Sequence, residues 1–304
     1  MALLIFGLTS SHTLLANTND LASYDEAVRL NPRDAKSYID RGAALLQKQD
    51  ALRAFSDFDQ AIELEPNNAT GYAYRGACYS LNNQWDQASA DYSKAIQLDT
   101  TNAAHYFNRS SARWKLGELD GALLDLSECL RLNPDFAAAY KSFASILEIK
   151  GAFESAITNW NKYLMVGSQD ANAFARRAFC RTRKKDYYHA VKDYEEAIRL
   201  DAKNHYSLNS LGWLRATCPD ASVRDGIEAT ALARRACQIT GWSRWTHLDT
   251  LAAAYAETGD FKQAIHTQEQ AMDITGLSDD EHKDLLSRLK LYQQRKPYRE
   301  MQTQ

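Results

Sequence analysis

The sequence predicts an all-α fold: a right-handed superhelical solenoid of about seven stacked helix hairpins, with capping helices at its ends. Three observations carry that fold class. Residues 35–68 repeat with a 34-residue period, so that Tyr38, Gly42, Leu45, Ala54, Phe58 and Ala61 return as Tyr72, Gly76, Tyr79, Ala88, Tyr92 and Ala95. Each unit holds two apolar stripes at helical spacing, parted by a short break such as Asn82, Asn83 and Gln84, or Gly117 and Glu118, or Lys184, Lys185 and Asp186. Small residues (Gly42, Ala54, Ala61) fall where paired helices must approach, and Tyr38 and Phe58 fill the space beside them. One hairpin cannot bury its own faces, whereas a stack buries a continuous core, so the pattern predicts a scaffold rather than a pocketed globule.

The register continues along the chain. Units beginning at Ala103, Ala137 and Ala171 supply Tyr106, Ala122, Leu126 and Pro134, then Tyr140, Ala156 and Trp160, then Phe174, Ala190, Tyr194 and Ala197. Pro66 closes the first unit, and its counterpart in the second is Thr100. A 34-residue unit with an aromatic near its start, a glycine four residues on, alanines in its second half and a closing proline resembles the tetratricopeptide repeat (TPR). The chain divides on this reading into residues 1–33, an apolar segment with a half-repeat; 34–204, five regular units; 205–277, two further units, the first with a loop insertion; and 278–304, a capping helix and tail.

The N-terminus supports two readings. Residues 2–8 are apolar and Ala16 suits a cleavage site, as in an export signal over residues 1–16, but no positive charge precedes them. Extending the register backward instead places Tyr24, Ala27, Leu30 and Pro32 as the second half of a repeat, which makes residues 21–30 a helix and residues 3–15 a degenerate partner. The first reading implies an exported chain, the second a cytoplasmic one.

Arginine stands seventh in the first, second, third and fifth units (Arg41, Arg75, Arg109, Arg177), and aspartate follows sixteen residues later (Asp57, Asp91, Asp125, Asp193). The fourth unit loses both together, with Phe143 and Asn159 in their places. Paired loss predicts facing pairs across each hairpin, structural rather than ligand-binding. From His205 the pattern loosens around an insertion at residues 218–226, while Leu208, Leu211, Gly212, Ala229, Ala233 and Ala236 keep the hairpin spacing. Leu248, Tyr255, Gly259, Ala264 and Ala271 return to register. Ser278 and Glu281 spell a capping box before an apolar face of Leu285, Leu286, Leu289 and Tyr292, with Lys283, Arg288 and Lys290 expected outward and a frayed tail from Arg295.

A formal net charge of −3 gives no global attraction to nucleic acid or anionic membrane, and no apolar run reaches spanning length. The five cysteines form no CxxC pair; Cys78, Cys129 and Cys180 read as small buried groups, with only Cys180, beside Arg181, in a setting that hints at reactivity. The seven histidines are scattered, and His105, His189 and His247 read as surface or core-edge residues. No phosphate loop, dinucleotide glycine run, metal-spaced cluster or nucleophile elbow is present. The expectation is therefore no catalytic residue, no cofactor, no metal and no enzyme.

The resemblance implies peptide binding on a concave face lined by the first helix of each hairpin. The first two units offer Lys36, Ile39, Asp40, Ala43, Thr70, Tyr74 and Ala77 there, with little charge. Later units offer Phe107, Asn108, Trp114, Lys141, Ser145, Asn172, Arg176, Phe179, Arg183, Tyr206, Asn209 and Trp213, which combine aromatic anchors with three cations and suit an acidic segment carrying apolar side chains. The family's carboxylate clamp is not matched: Ile39 and Ala43 stand where lysine and asparagine belong, and only Arg176 occupies a corresponding place. The basic run at residues 176–185 reads either as a solvated helix end or as an anion site. The expected function is a non-catalytic protein-interaction scaffold that binds a peptide or partner segment in the concave groove; the alternative is a sensory or regulatory module that binds a short anionic peptide or ligand and acts through a partner signalling or catalytic domain.

Overall fold

The computed structural model describes residues 21–167 and 169–300. Among these residues sixteen α-helices and no strands occur: α1 (Leu21–Leu30), α2 (Ala35–Gln47), α3 (Ala51–Leu64), α4 (Ala69–Leu81), α5 (Trp85–Leu98), α6 (Ala103–Lys115), α7 (Leu119–Leu132), α8 (Ala137–Ile149), α9 (Phe153–Met165), α10 (Ala171–Arg183), α11 (Tyr187–Leu200), α12 (His205–Thr217), α13 (Gly226–Ile239), α14 (Trp245–Glu257), α15 (Phe261–Met272) and α16 (Asp279–Gln293). In chain order this is α1, seven successive helix pairs and α16. The all-α solenoid class expected from the repeat is the class observed. Two compact units divide between Ile146 and Leu147, inside α8.

In the first unit α2 with α3, α4 with α5 and α6 with α7 form hairpins, and α1 packs on α2. Each first helix starts where a short polar side chain accepts a backbone N–H: Asp34 from Ser37, Asn68 from Thr70, Asn102 from Ala104. Two residues past the end of each stands a residue with positive φ, Gln49 (66°), Asn83 (58°) and Gly117 (81°), one period apart. That turn reverses the chain so the second helix folds back on the first. The small residues then admit the aromatics: a Cβ on Gly42 would lie 2.6 Å from the Phe58 ring, and one on Gly76 2.9 Å from Tyr92. Phe58 is fully buried in consequence. α1 is the helix expected at residues 21–30; both the export signal and the degenerate partner helix lie outside the described residues.

In the second unit α10 with α11, α12 with α13 and α14 with α15 form hairpins, α9 packs on α10, α12 also packs on α14, and α16 packs on α15. The insertion after α12 is tied down rather than loose. Cys218 and Val223 are buried. Arg224 Nη1 donates to the carbonyls of Cys218 and Pro219 at 2.7 and 3.2 Å, and Arg215 Nη1 to that of Val223 at 3.1 Å. The Ser278–Glu281 capping box forms as read, and Leu285, Leu289 and Tyr292 bury the inner face of α16.

Two expectations about this end are corrected. Arg288 points inward, its Nε donating to Asp249 Oδ1 at 2.8 Å in a buried pair. Residues 296–300 do not fray: the Glu300 N–H donates to the Thr217 carbonyl at 3.0 Å, and Tyr298 packs against Trp213 with ring centroids 5.7 Å apart. Helical spacing announces neither cause: buried Asp249 on α14 draws Arg288 inward, and Glu257, Trp213 and Thr217 on α14 and α12 hold the segment after α16.

Candidate functional site

The arginine–aspartate pairs form as the covariation requires. Arg41 and Asp57, Arg75 and Asp91, Arg109 and Asp125, and Arg177 and Asp193 each meet through two hydrogen bonds, with distances between 2.6 and 2.9 Å. A second partner escaped sequence reasoning. The remaining Nη1 of each arginine reaches back sixteen residues to the preceding hairpin, to Asp25, Asp59, Ser93 and Asn161 respectively. Each guanidinium also lies 5.3–5.9 Å from the centroid of the ring three residues earlier. These arginines therefore tie one hairpin to the next, and their planar forks are fully engaged in structure. Asp125 and Asp193 each take a further arginine, Arg113 at 2.9 Å and Arg181 at 2.6 Å. In the fourth repeat Asn159 turns back to the Ser155 carbonyl at 2.9 Å, and Phe143 packs into the apolar cluster of the first unit.

The groove residues separate into two sets. Five belong to the first unit, among them half-buried Ser145, whose hydroxyl donates to the Lys141 carbonyl at 2.9 Å. Phe107 and Asn108 are buried, Phe107 stacking near Phe136 at 4.9 Å, so neither presents itself to a partner. Trp114 is half-buried in the same cluster, and Lys141 is half-buried on α8. Ile39, Tyr74 and Ala77, read as floor, are also core. The physical reason is common to the five buried residues: the first helices of the regular repeats pack tightly enough that positions expected to face a groove are closed by neighbours.

The second unit differs. Arg176 and Tyr206 keep 45% of side-chain and 44% of residue surface exposed, Asn172 and Arg183 are exposed, and Phe179, Asn209 and Trp213 are half-buried. Arg176 is held to buried Glu148 at 2.6 Å, and the same carboxylate accepts from Trp160 Nε1 at 2.5 Å. Arg176 is thus a structural cation with an open side. Phe179 and Arg183 converge on a residue sequence reasoning missed: Phe153 meets the Phe179 ring edge-on at 6.0 Å, and the Arg183 guanidinium lies 5.3 Å from the Phe153 ring centroid. Asn172 Oδ1 accepts from Asn204 at 3.4 Å. Asn209 Oδ1 is buried with no partner among the described residues.

Trp213 belongs to a separate cluster. Arg288 lies over both its ring and that of Tyr298, at 5.6 and 5.5 Å, while Arg299 reaches Glu257 at 2.5 Å and Arg224 reaches the same carboxylate at 3.1 Å. Glu148, Phe153, Glu257 and Tyr298 carried no periodic signal; a carboxylate inside the apolar run Ile146, Leu147, Glu148, Ile149 was the one available hint.

The cysteine and histidine expectations are also adjusted. Cys180 is fully buried, and that burial pushes its thiol well above the ordinary range, while Arg181 turns away to Asp193, so reactivity is removed. Cys78 is pushed up to about 12 by burial. His105 and His247 lie in the core rather than at its edge. Burial, with His205 and Arg244 nearby, pushes His247 down to about 4. Among the described residues no group of three His, Cys, Asp or Glu could hold a metal ion, and no helix is long and apolar enough to cross a membrane.

Family models of the tetratricopeptide repeat match residues 35–68, 104–136 and 171–204, and a second such model matches 58–88. No curated protein matches the sequence. Among solved structures, a TPR protein from Cytophaga hutchinsonii superposes with a TM-score of 0.63 at 16% identity, covering 82% of this chain and 99% of that one. YrrB, described as a TPR protein with an unusual peptide-binding site, gives 0.56 at 22% identity over 63% of this chain and 98% of its own. A tetratricopeptide repeat protein from Parabacteroides merdae gives 0.54 at 18% identity, covering 85% and 98%. At these identities the structures show the shared fold, and the residues that the family models match are tetratricopeptide repeats.

Proposed function

We propose that this protein is a non-catalytic interaction scaffold whose working face lies on the first helices of the second unit, α10 and α12. One observation carries the proposal. At the positions of Arg176 and Phe179 the first helices of the first unit carry Asp40 and Ala43 in α2, buried Tyr74 and Ala77 in α4, and buried Asn108 with Ser111 in α6, whereas α10 presents exposed Arg176 and Arg183 with half-buried Phe179, and α12 presents exposed Tyr206. YrrB binds peptide as a TPR protein of similar fold, which supports a peptide as the class of ligand here.

The arrangement favours an extended segment with an acidic residue and an apolar anchor. Stacking on Phe153 holds Arg183 by its face and leaves its in-plane N–H edges for a carboxylate, while Arg176 adds positive potential without leaving Glu148. Tyr206 and Phe179 supply large apolar area at small cost in side-chain freedom. The test is selection of displayed random peptides on the intact chain. Selected peptides should carry acidic and apolar residues, lose about tenfold or more in affinity on Arg183→Glu with Tyr206→Ala, and bind Lys36→Glu unchanged. Equal binding to the first variant would overturn the assignment.

A further inference from the structure

A second subsite lies on the α12–α14 face of the same unit, and it is already filled by a peptide segment belonging to this chain. After α16 the backbone turns through Arg295 and Lys296, whose N–H groups donate to the carbonyls of Tyr292 and Leu291 at 2.9 Å each. Residues 297–300 then run without helix back to α12 and α14. The Tyr298 ring lies against Trp213 and Arg288 and packs on the cluster of Ala252, Ala256, Ala264 and Tyr292, the Arg299 guanidinium meets Glu257 at 2.5 Å, and the Glu300 N–H donates to the Thr217 carbonyl at 3.0 Å.

Every group that receives the segment is fixed by something else. Trp213 packs with buried Ala216, Ala229, Ala253 and Ala254. Arg288 is anchored on Asp249, which also accepts from Gln268 Nε2 at 2.9 Å. Glu257 is held by Arg224, itself tied to two carbonyls of the insertion. Thr217 belongs to α12, and its carbonyl is one of those a helix end leaves open. A receptor whose groups are each oriented by other partners stays formed when its occupant leaves. The occupant, by contrast, is held by the half-buried Tyr298 ring, one ion pair and one backbone hydrogen bond, while Arg299 keeps about a third of its side-chain surface in solvent and Glu300 is exposed.

We infer that this face is a recognition site for an aromatic residue followed by a cation, occupied in cis by Tyr298 and Arg299, and that a partner segment of the same aromatic–cation chemistry enters by displacing them. The inference rests on the reading that the first-helix face of the second unit receives extended segments, and it names the second residue class that such a segment carries. Its ligand chemistry is opposite in sign to the α10 end: Glu257 selects a cation where Arg183 selects a carboxylate. Tethering gives the cis segment an effective concentration in the millimolar range, so a free ligand of like affinity is held off until the segment is weakened or outcompeted.

The test uses a fluorescein-labelled peptide of residues 295–300 as the probe, titrated by anisotropy against the full chain and against Tyr298→Ala with Arg299→Ala. The opened variant should bind the probe about tenfold or more tightly than the unaltered chain, because the internal competitor is gone. Adding Glu257→Gln or Trp213→Ala to the opened chain should each weaken that binding about tenfold, and a probe with glutamate in place of the arginine at position 299 should not bind. A chain shortened after Lys296 opens the site by another route and should behave alike. Equal binding to open and unaltered chains, or no binding to either opened form, overturns the inference. So does loss of cooperative unfolding in both opened forms, since residues 297–300 would then be a structural brace. Acidic peptides selected on the α10 end serve as the control: if they still bind while the probe fails, only the second subsite is wrong, and if neither binds, the face itself is wrong.

Discussion

The first helices of the two units carry their charges in opposite ways. In the first unit Arg41, Arg75 and Arg109 stand one period apart, and each is matched within its own hairpin and by the hairpin before it. In the second, Arg177 repeats the arrangement once, and the corresponding positions in α12 and α14 become buried Leu211 and Leu251. There the charges move to Asp249 and Glu257 and are answered from outside the repeat, by α16, the insertion and the segment after α16. The three arginines of the first unit are answered within the repeats, whereas Asp249 and Glu257 of α14 are answered by α16, the insertion and the segment after α16; we propose that binding becomes available where such a segment can be exchanged.

The sharpest way to break this contrast is to remove Arg288. Asp249 would be left buried with Gln268 alone, so Arg288→Ala should destabilise by about 3–5 kcal/mol, read from urea unfolding, with the effect concentrated in the second unit. A loss below about 1 kcal/mol would mean that the pair is not a structural anchor.

Within the ladder the number of stranded guanidiniums sets the order. Asp125→Ala leaves Arg109 with no carboxylate and Arg113 with only Glu118 at 3.7 Å, whereas Asp91→Ala leaves Arg75 with Asp59 at 2.6 Å. Expected losses are about 3 kcal/mol and about 2 kcal/mol, and Arg75→Leu with Asp91→Asn should recover much of the second, as Phe143 and Asn159 do naturally. Equal losses at the two sites would show that the extra arginine is not coupled to Asp125.

The pH dependence should come chiefly from His247 in the second unit. Its imidazole is held near 4, against an ordinary value of 6.5, so between those limits the unfolded chain takes up a proton that the folded chain refuses. Stability should therefore fall as pH drops from 6.5 toward 4, by about 2 kcal/mol, and His247→Gln should flatten that slope. An unchanged slope would place the titration elsewhere. The smallest effect concerns the hairpin turns. Lys185 holds a φ of 63° where Gly117 and Gly151 serve equivalent turns, so Lys185→Gly should gain about 0.5–1 kcal/mol in thermal unfolding.

The period made the fold legible, because glycine at 42 and 76 and alanine at 54 and 88 recur for one steric reason that sequence spacing expresses directly. The Arg–Asp pairs were legible for the same reason, since Phe143 and Asn159 lose both partners at once. The candidate site was only partly so. Phe107 and Asn108 share helix positions with groove residues, yet neighbours packed on α6 close over them, and periodicity within one helix does not report that closure. Tyr298 and Arg299 lie outside any repeat, and their docking depends on Glu257 and Arg288 meeting through tertiary structure.

Amide hydrogen exchange with a selected acidic peptide bound, compared with the free chain, tests the central claim most directly. The account predicts added protection over α10 and α12 of the second unit and none over α2, α4 and α6. Protection over those helices of the first unit, with α10 and α12 unchanged, would contradict it.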